Sequence, residues 1–377
     1  MLSRWVKFAL ITVIISLASC GGQEEGPSSA ESPETGFLLE PFDSIGVELG
    51  DSNYVLGTPR ALEFTSAGNI VVGDIGRMKM MMYSDEGLFL RSGGSEGEGP
   101  GEYAMPTGFA PDNSGGIIVT DAMGGKIIFY DSLLQHTGEL RGFQGRPPQS
   151  PRMLSDGSIV GSDIDFDREN GNITNTISRW EPGETEASVS YMERSGSFDQ
   201  QNPMQVYQEI GMVLCVLEDD RVVVSPLSSD DYILKCFSPG GELMWETERD
   251  YDPRPLPEEE IRIRREMMRA AMSSRGMDPS AADDFPIQEM ASAVNSVYAR
   301  EGEIWVRRGG YVIPRFEIFS EEGEFLYSCS APFLAQGSNA GFAMSPASDI
   351  VLAYLANPED YYRIWMLRKI ETDPAEE

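Results

Sequence analysis

The stretch that decides the fold is Pro59-Arg60-Ala61-Leu62-Glu63-Phe64-Thr65-Ser66-Ala67-Gly68-Asn69-Ile70-Val71-Val72-Gly73-Asp74, with Lys79-Met80-Met81-Met82-Tyr83 close behind it. Its landmarks Pro59, Gly68, Ile70, Asp74 and Tyr83 return as Pro106, Gly115, Ile117, Asp121 and Tyr130, all displaced by the same 47 residues. A fixed period of this length marks a structural repeat. Each copy reads as four short strands, in the first copy residues 61–64, 70–74, 79–83 and 88–91. Turn residues separate them at 66–69 and 84–87. Four antiparallel strands repeated at this spacing form a propeller blade.

One blade cannot bury both of its faces, so the rest of the chain has to supply neighbours. The Gly-hydrophobic signature returns at residues 156–160, 220–224, 302–306 and 348–352, which brings the expected count to six. After the last copy the chain offers one more strand, residues 362–367, and then an acidic tail at 371–377, so the sixth blade lacks its fourth strand. Residues 37–49 have no partner of their own. They are predicted to fill that gap, closing the ring and leaving no open sheet edge. The expected fold class is therefore an all-β, six-bladed β-propeller over residues 37–370, closed by its N-terminal strand.

One link between blades is much longer than the others. Residues 252–286, between blades 4 and 5, carry Pro257-Glu258-Glu259-Glu260 and then an Arg-, Met- and Ala-rich run. Carboxylates at the start and Arg264, Arg265 and Arg269 further on suit a helix dipole, which predicts a helix over about 257–274. It would act either as a lid, with Ile261, Met268 and Met272 facing the disc, or as a helix packed on the rim.

At the N-terminus, Arg4 and Lys7 precede an apolar run over residues 8–18 that is too short to span a bilayer and right for a signal peptide core. It ends in Leu17-Ala18-Ser19-Cys20-Gly21, which resembles the bacterial lipobox. That resemblance implies a signal peptide at 1–19, a palmitate-type lipid on Cys20, and a lipoprotein of the cell envelope. Gln23-Glu24-Glu25 is similar to the acidic signal that sends lipoproteins to the surface in Bacteroidetes-type bacteria, and a solvated linker has the same composition. Residues 20–36, rich in Gly, Pro, Ser and Glu, read as a flexible tether. The expected location is the outer membrane, facing the periplasm or the exterior.

The 377 residues include 29 basic and 61 acidic side chains, a formal charge of −32, which argues against nucleic acid and anionic headgroups as partners. Of four cysteines, Cys215, Cys236 and Cys329 fall on strands that are not neighbours and read as small buried hydrophobes. Met80, Met81 and Met82, like Trp180, Trp305 and Trp365, read as packing between blades.

The segment Gly93-Gly94-Ser95-Glu96-Gly97-Glu98-Gly99-Pro100-Gly101-Glu102-Tyr103 resembles the inter-blade link of NHL-like six-bladed propellers, and residues 70–74 and 117–121 resemble the second strand of that repeat. The resemblance implies a fold and an export route. Such propellers host binding modules, lyases and lactonases alike. The lyases and paraoxonase-like lactonases of this architecture rely on histidine. Here the single histidine, His136, falls on an outer strand, so their mechanisms do not carry over.

In this topology the ends of the second strands circle one mouth of the central channel. Alignment of the copies places Asp74, Asp121, Asp163, Pro226, Arg308 and Tyr354 there, with Arg307 beside Arg308. Carboxylates on one side and arginines on the other make this mouth the candidate ligand site; the competing reading has Asp74 and Asp121 holding loop amides. Asp74, Asp121, Asp163 and Asp165 are also the candidates for an oxygen-ligated calcium ion. The leading expectation is a monomeric, non-catalytic module binding a protein, peptide or glycan at this mouth, with no required cofactor. A calcium-dependent hydrolase or lactonase on the same face is the alternative, and a purely architectural envelope role is a third.

Overall fold

The computed structural model describes residues 35–167, 169–198, 206, 209–274, 278–283, 285, 287, 289–334, 340–346, 348–355 and 361–371. The expected signal peptide, Cys20, the expected tether up to residue 34 and the tail beyond residue 371 lie outside them.

The repeat folds as its pattern dictates. Blade 1 consists of β2 (Pro59–Phe64), β3 (Ile70–Asp74), β4 (Lys79–Tyr83) and β5 (Phe89–Gly93). A short parallel clasp of β6 (Ser95–Glu96) and β7 (Glu102–Tyr103) leads to blade 2, made of β8 (Pro106–Pro111), β9 (Ile117–Asp121), β10 (Lys126–Tyr130) and β11 (His136–Arg141). The two copies share their register: Pro59 faces Asp74 and Pro106 faces Asp121, each with a bulge one step on. The turn glycines Gly68 and Gly115 have φ of 79° and 87°, a conformation that costs glycine little.

Blade 3 contains β12 (Gln149–Met153), β13 (Ile159–Asp167), β14 (Asn172–Trp180) and β15 (Val189–Ser197). Blade 4 contains β16 (Met212–Val216), β17 (Val222–Pro226), β18 (Tyr232–Phe237) and β19 (Leu243–Arg249). At the first turn of blade 4 the repeat glycine is replaced by Asp220, held at φ 67°. Its carboxylate accepts the Ser155 amide (2.8 Å) and the Ser155 hydroxyl, so the strained residue also ties blade 4 to blade 3.

The long link carries α1 (Glu258–Ser274), within a residue of expectation. Its arginines do not serve the dipole, since none lies in the last turn. They fasten the insertion to itself: Arg264 pairs with Glu260 (2.6 Å), and Arg265 Nη1 donates to the carbonyls of Ala282 (2.7 Å) and Asp283 (3.2 Å). Of the three side chains expected to face inward, Met272 is buried and Ile261 and Met268 are half-buried; Ile263 is buried as well.

Blade 5 contains β20 (Val294–Arg300), β21 (Glu303–Arg308), β22 (Arg315–Ser320) and β23 (Phe325–Ser330). Blade 6 follows with β24 (Ala340–Ser345), β25 (Ser348–Leu355) and β26 (Ile364–Glu371). Its fourth strand is β1 (Thr35–Ile45), antiparallel to β26 from Phe37 opposite Glu371 to Ile45 opposite Ile364. The ring thus closes as the sequence predicts, although β26 is shifted from the expected 362–367 to Ile364–Glu371, and there are two further differences. Residues 46–49 lie beyond the strand, and the start of β1 also pairs in parallel with β23, Phe37 opposite Cys329. Blades 5 and 6 therefore form one eight-stranded sheet.

Six hydrophobic clusters mark the interfaces. Phe64 and Met81 of blade 1 pack with Leu352 and Met366 of blade 6; Met80 and Met82 pack with Phe109 and Ile128 of blade 2. Ile127 meets Ile159 between blades 2 and 3, and Tyr191 meets Phe237 between blades 3 and 4. Cys236 meets Val306 between blades 4 and 5, and Trp305 meets Leu39 and Leu367 between blades 5 and 6. Six interfaces for six blades is the condition for a closed disc. Cys215, Cys236 and Cys329 are buried free thiols, the first and last pushed up to about 12 by burial, hence unreactive.

Candidate binding channel

The inner strands β2, β8, β12, β16, β20 and β24 surround a central channel that widens into two chambers. The chamber of about 310 Å³ opens on the face of the inter-blade links, among Gln149, Ser162, Met212, Ser296 and Tyr298. The second, of about 280 Å³, opens on the opposite face, among Glu63, Asn113, Glu218 and Asp220. Arg152, Val297 and Tyr298 line both, so they form the waist between them.

Charge is concentrated at that waist. Arg152 of blade 3 reaches across to blade 1, where its Nη1 stands 3.4 Å from Glu63 Oε1; the same nitrogen donates to the Pro151 carbonyl (2.8 Å). Burial raises the Glu63 carboxyl above its ordinary value, and the Arg152 charge opposes the rise. Burial also pushes up the Tyr298 phenol, which Arg307, Ser296 and Arg152 pull back. Arg307, only 8% exposed, lies behind the wall: it donates to the Ala340 carbonyl, covers the Phe342 ring (5.1 Å) and feels Glu260 in the first turn of α1. Tyr354 donates to the Arg60 carbonyl (3.4 Å), joining blade 6 to blade 1.

Asp74, Asp121 and Arg308 do end their second strands, and the two aspartates take the competing role of holding loop amides. Asp74 is 1% exposed, and its two oxygens accept the amides of Gly57 (2.6 Å), Thr58 (2.7 Å) and Arg77 (3.2 Å). Asp121, equally buried, accepts those of Ala104 (3.1 Å) and Met105 (2.8 Å). Each carboxylate holds the link that enters its blade. Arg308 belongs to the blade 4–5 interface, bound to Glu317 (2.5 Å) and stacked between Tyr232 (4.9 Å) and Tyr251 (5.1 Å).

Asp163 is not at a strand end at all. β13 continues four residues past it, because Asp163-Ile164-Asp165-Phe166-Asp167 alternates at the strand period. It lies opposite Thr176, where burial and then Asp165 raise its carboxyl. It lines a separate cleft of about 400 Å³ with Arg146, Trp180 and Glu186. Among the described residues no three His, Cys, Asp or Glu side chains stand close enough to hold a metal ion, so Asp74, Asp121, Asp163 and Asp165 are not gathered into one site.

The model of a family described as a 6-bladed beta-propeller matches residues 42–141. The fold is that of six-bladed propellers. Among solved structures, a protein described as exported from Bacteroides fragilis is 12% identical over 89% of this chain and 96% of its own, with a TM-score of 0.51. A member of the DUF4221 family from Bacteroides vulgatus is 8% identical over 90% and 100%, with a TM-score of 0.50. A gluconolactonase from Xanthomonas campestris is 14% identical over 89% and 99%, with a TM-score of 0.47. No curated protein matches the sequence.

Glu63, Arg152 and Tyr298 lie on first strands, which the pattern of the second-strand ends does not reach. The signal in the sequence is a charged or phenolic side chain between apolar neighbours, as in Leu62-Glu63-Phe64 and Val297-Tyr298-Ala299. The buried aspartates give a stability prediction. Asp74→Ala strands three amides and is expected to cost about 3 kcal/mol in a urea melt, with Asp121→Ala slightly less. Unchanged stability in both would remove their role as link holders.

Proposed function

We propose that the protein is an exported, lipid-anchored propeller that binds a ligand in its central channel without transforming it. The observation that carries this reading is the waist, where Arg152, Glu63 and Tyr298 from three blades converge inside a polar passage of a size that suits small ligands. Cys20 is the proposed lipidation site and the outer membrane the proposed location; the description of the B. fragilis protein as exported is in line with this. The NHL-like character and the Bacteroidetes-type surface signal belong to the same proposal. Labelling with radioactive palmitate, lost in Cys20→Ala, checks the anchor.

The test of the channel is a thermal-shift screen of small metabolites and short glycans against the wild type and Ser296→Trp, which places an indole in the link-face chamber. Stabilising compounds are expected for the wild type only. If every hit stabilises both proteins equally, the channel is not the site. For the calcium-assisted hydrolase, the corresponding signature is a melting temperature that falls on chelation in the wild type and not in Asp121→Ala; we expect chelator to leave both unchanged.

A further inference from the structure

We propose that the channel waist is a carboxylate receptor: a small organic monocarboxylate with an apolar body docks on Arg152 by displacing the protein's own Glu63. The inference rests on the channel reading above and names its ligand class. Arg152 is 35% exposed on its side chain, yet among the described residues only its Nη1 is hydrogen-bonded. Nε and Nη2 remain as the donors of a guanidinium fork, the geometry that matches a carboxylate bidentately. Its contact with Glu63, at 3.4 Å, is long for a charge-assisted hydrogen bond, where about 2.8 Å is usual. Glu63 thus occupies the place of a ligand without binding it tightly.

The surroundings select the rest of the molecule. Ile177, Met212 and Val297 give the link-face chamber an apolar side beside the arginine, while Gln149, Ser162 and Tyr298 supply polar groups on the others. A dianion would add a second charge to a waist that already holds Glu63, in a chain of net −32. One carboxylate in exchange for another leaves the local charge balance intact. The groups facing Glu63 are Arg152 from β12 and Tyr298 from β20, with Glu218 and Asp220 lining the same chamber from the blade 4 turn. When Arg152 turns to the ligand, the group that opposed the rise of the buried Glu63 carboxyl is withdrawn, so displacement draws a proton onto Glu63.

The probe is phenylacetate, titrated calorimetrically against the full-length protein in detergent, with phenylacetamide as its neutral isostere and phenyl phosphate as the dianion. Phenylacetate is expected to bind the wild type in the millimolar range, about tenfold more tightly to Glu63→Gln, and undetectably to Arg152→Gln. Affinity is expected to rise as pH is lowered in the wild type, because Glu63 takes up a proton on displacement, and to stay flat in Glu63→Gln. Equal binding of phenylacetamide, a preference for phenyl phosphate, undiminished binding by Arg152→Gln, or no binding of phenylacetate to Glu63→Gln each overturns the proposal. Neutral compounds that stabilise the wild type and fail with Ser296→Trp would sink the carboxylate assignment and leave the channel reading standing.

Discussion

A chain that begins at Gly46, and so lacks β1, is expected not to fold cooperatively, whereas a chain that begins at Glu34 is expected to melt in a single sharp transition. β1 contributes the fully buried Leu39 to the blade 5–6 cluster and the fully buried Ile45 to the blade 6–1 cluster. Losing such a side chain costs about 2–5 kcal/mol in a well-packed core, and here two go together with the whole β1–β26 ladder. That loss approaches the total stability of a typical domain, about 5–15 kcal/mol. It would also uncover the edge of β26 and the start of the parallel pairing on β23. Near-ultraviolet circular dichroism during heating distinguishes the two chains. A Gly46 chain that melts as sharply as the longer one would show that closure by β1 is dispensable. The single substitution Leu39→Ala should cost about 3 kcal/mol.

Glu317→Ala should be among the most damaging point substitutions, at about 3–5 kcal/mol, the usual cost of removing one member of a buried ion pair. Glu317 is 6% exposed and answers two guanidinium groups at once, Arg308 Nη1 at 2.5 Å and Arg249 Nη1 at 3.1 Å. Its removal leaves two positive charges against Tyr232 in the blade 4–5 interface, with no other carboxylate among their salt-bridge partners in the described residues. Arg308→Leu should be milder, because Glu317 keeps Arg249. Adding Arg308→Leu to Glu317→Ala should recover part of the loss, since one of the stranded charges goes with it. Urea melts of the three variants check the order. If Glu317→Ala proved no worse than Arg308→Leu, the triad would not be the interface anchor described here.

The arrangement of blades was legible because it depends on short-range patterns. The 47-residue displacement, the turn glycines and the apolar strands specify a four-stranded unit wherever they occur, and a unit with two apolar faces has to be stacked. Closure was legible for a related reason, since one strand was missing at the end and one was spare at the start. The parallel contact of β1 with β23 was not, because it depends on how far the spare strand runs past its partner.

The candidate site divides along the same line. Sequence alone determined that Asp74 and Asp121 end their strands, that six blades surround a channel, and that the single histidine lies on an outer strand. Tertiary structure decided which side chains enter the channel. Arg152 and Glu63 lie 89 residues apart in the chain and meet only across the axis of the disc, and Arg308 is drawn away from the mouth by Glu317 in the third strand of its own blade. A strand pattern records which residues share a face. The partner a buried charge finds there depends on distances between blades that no local pattern contains.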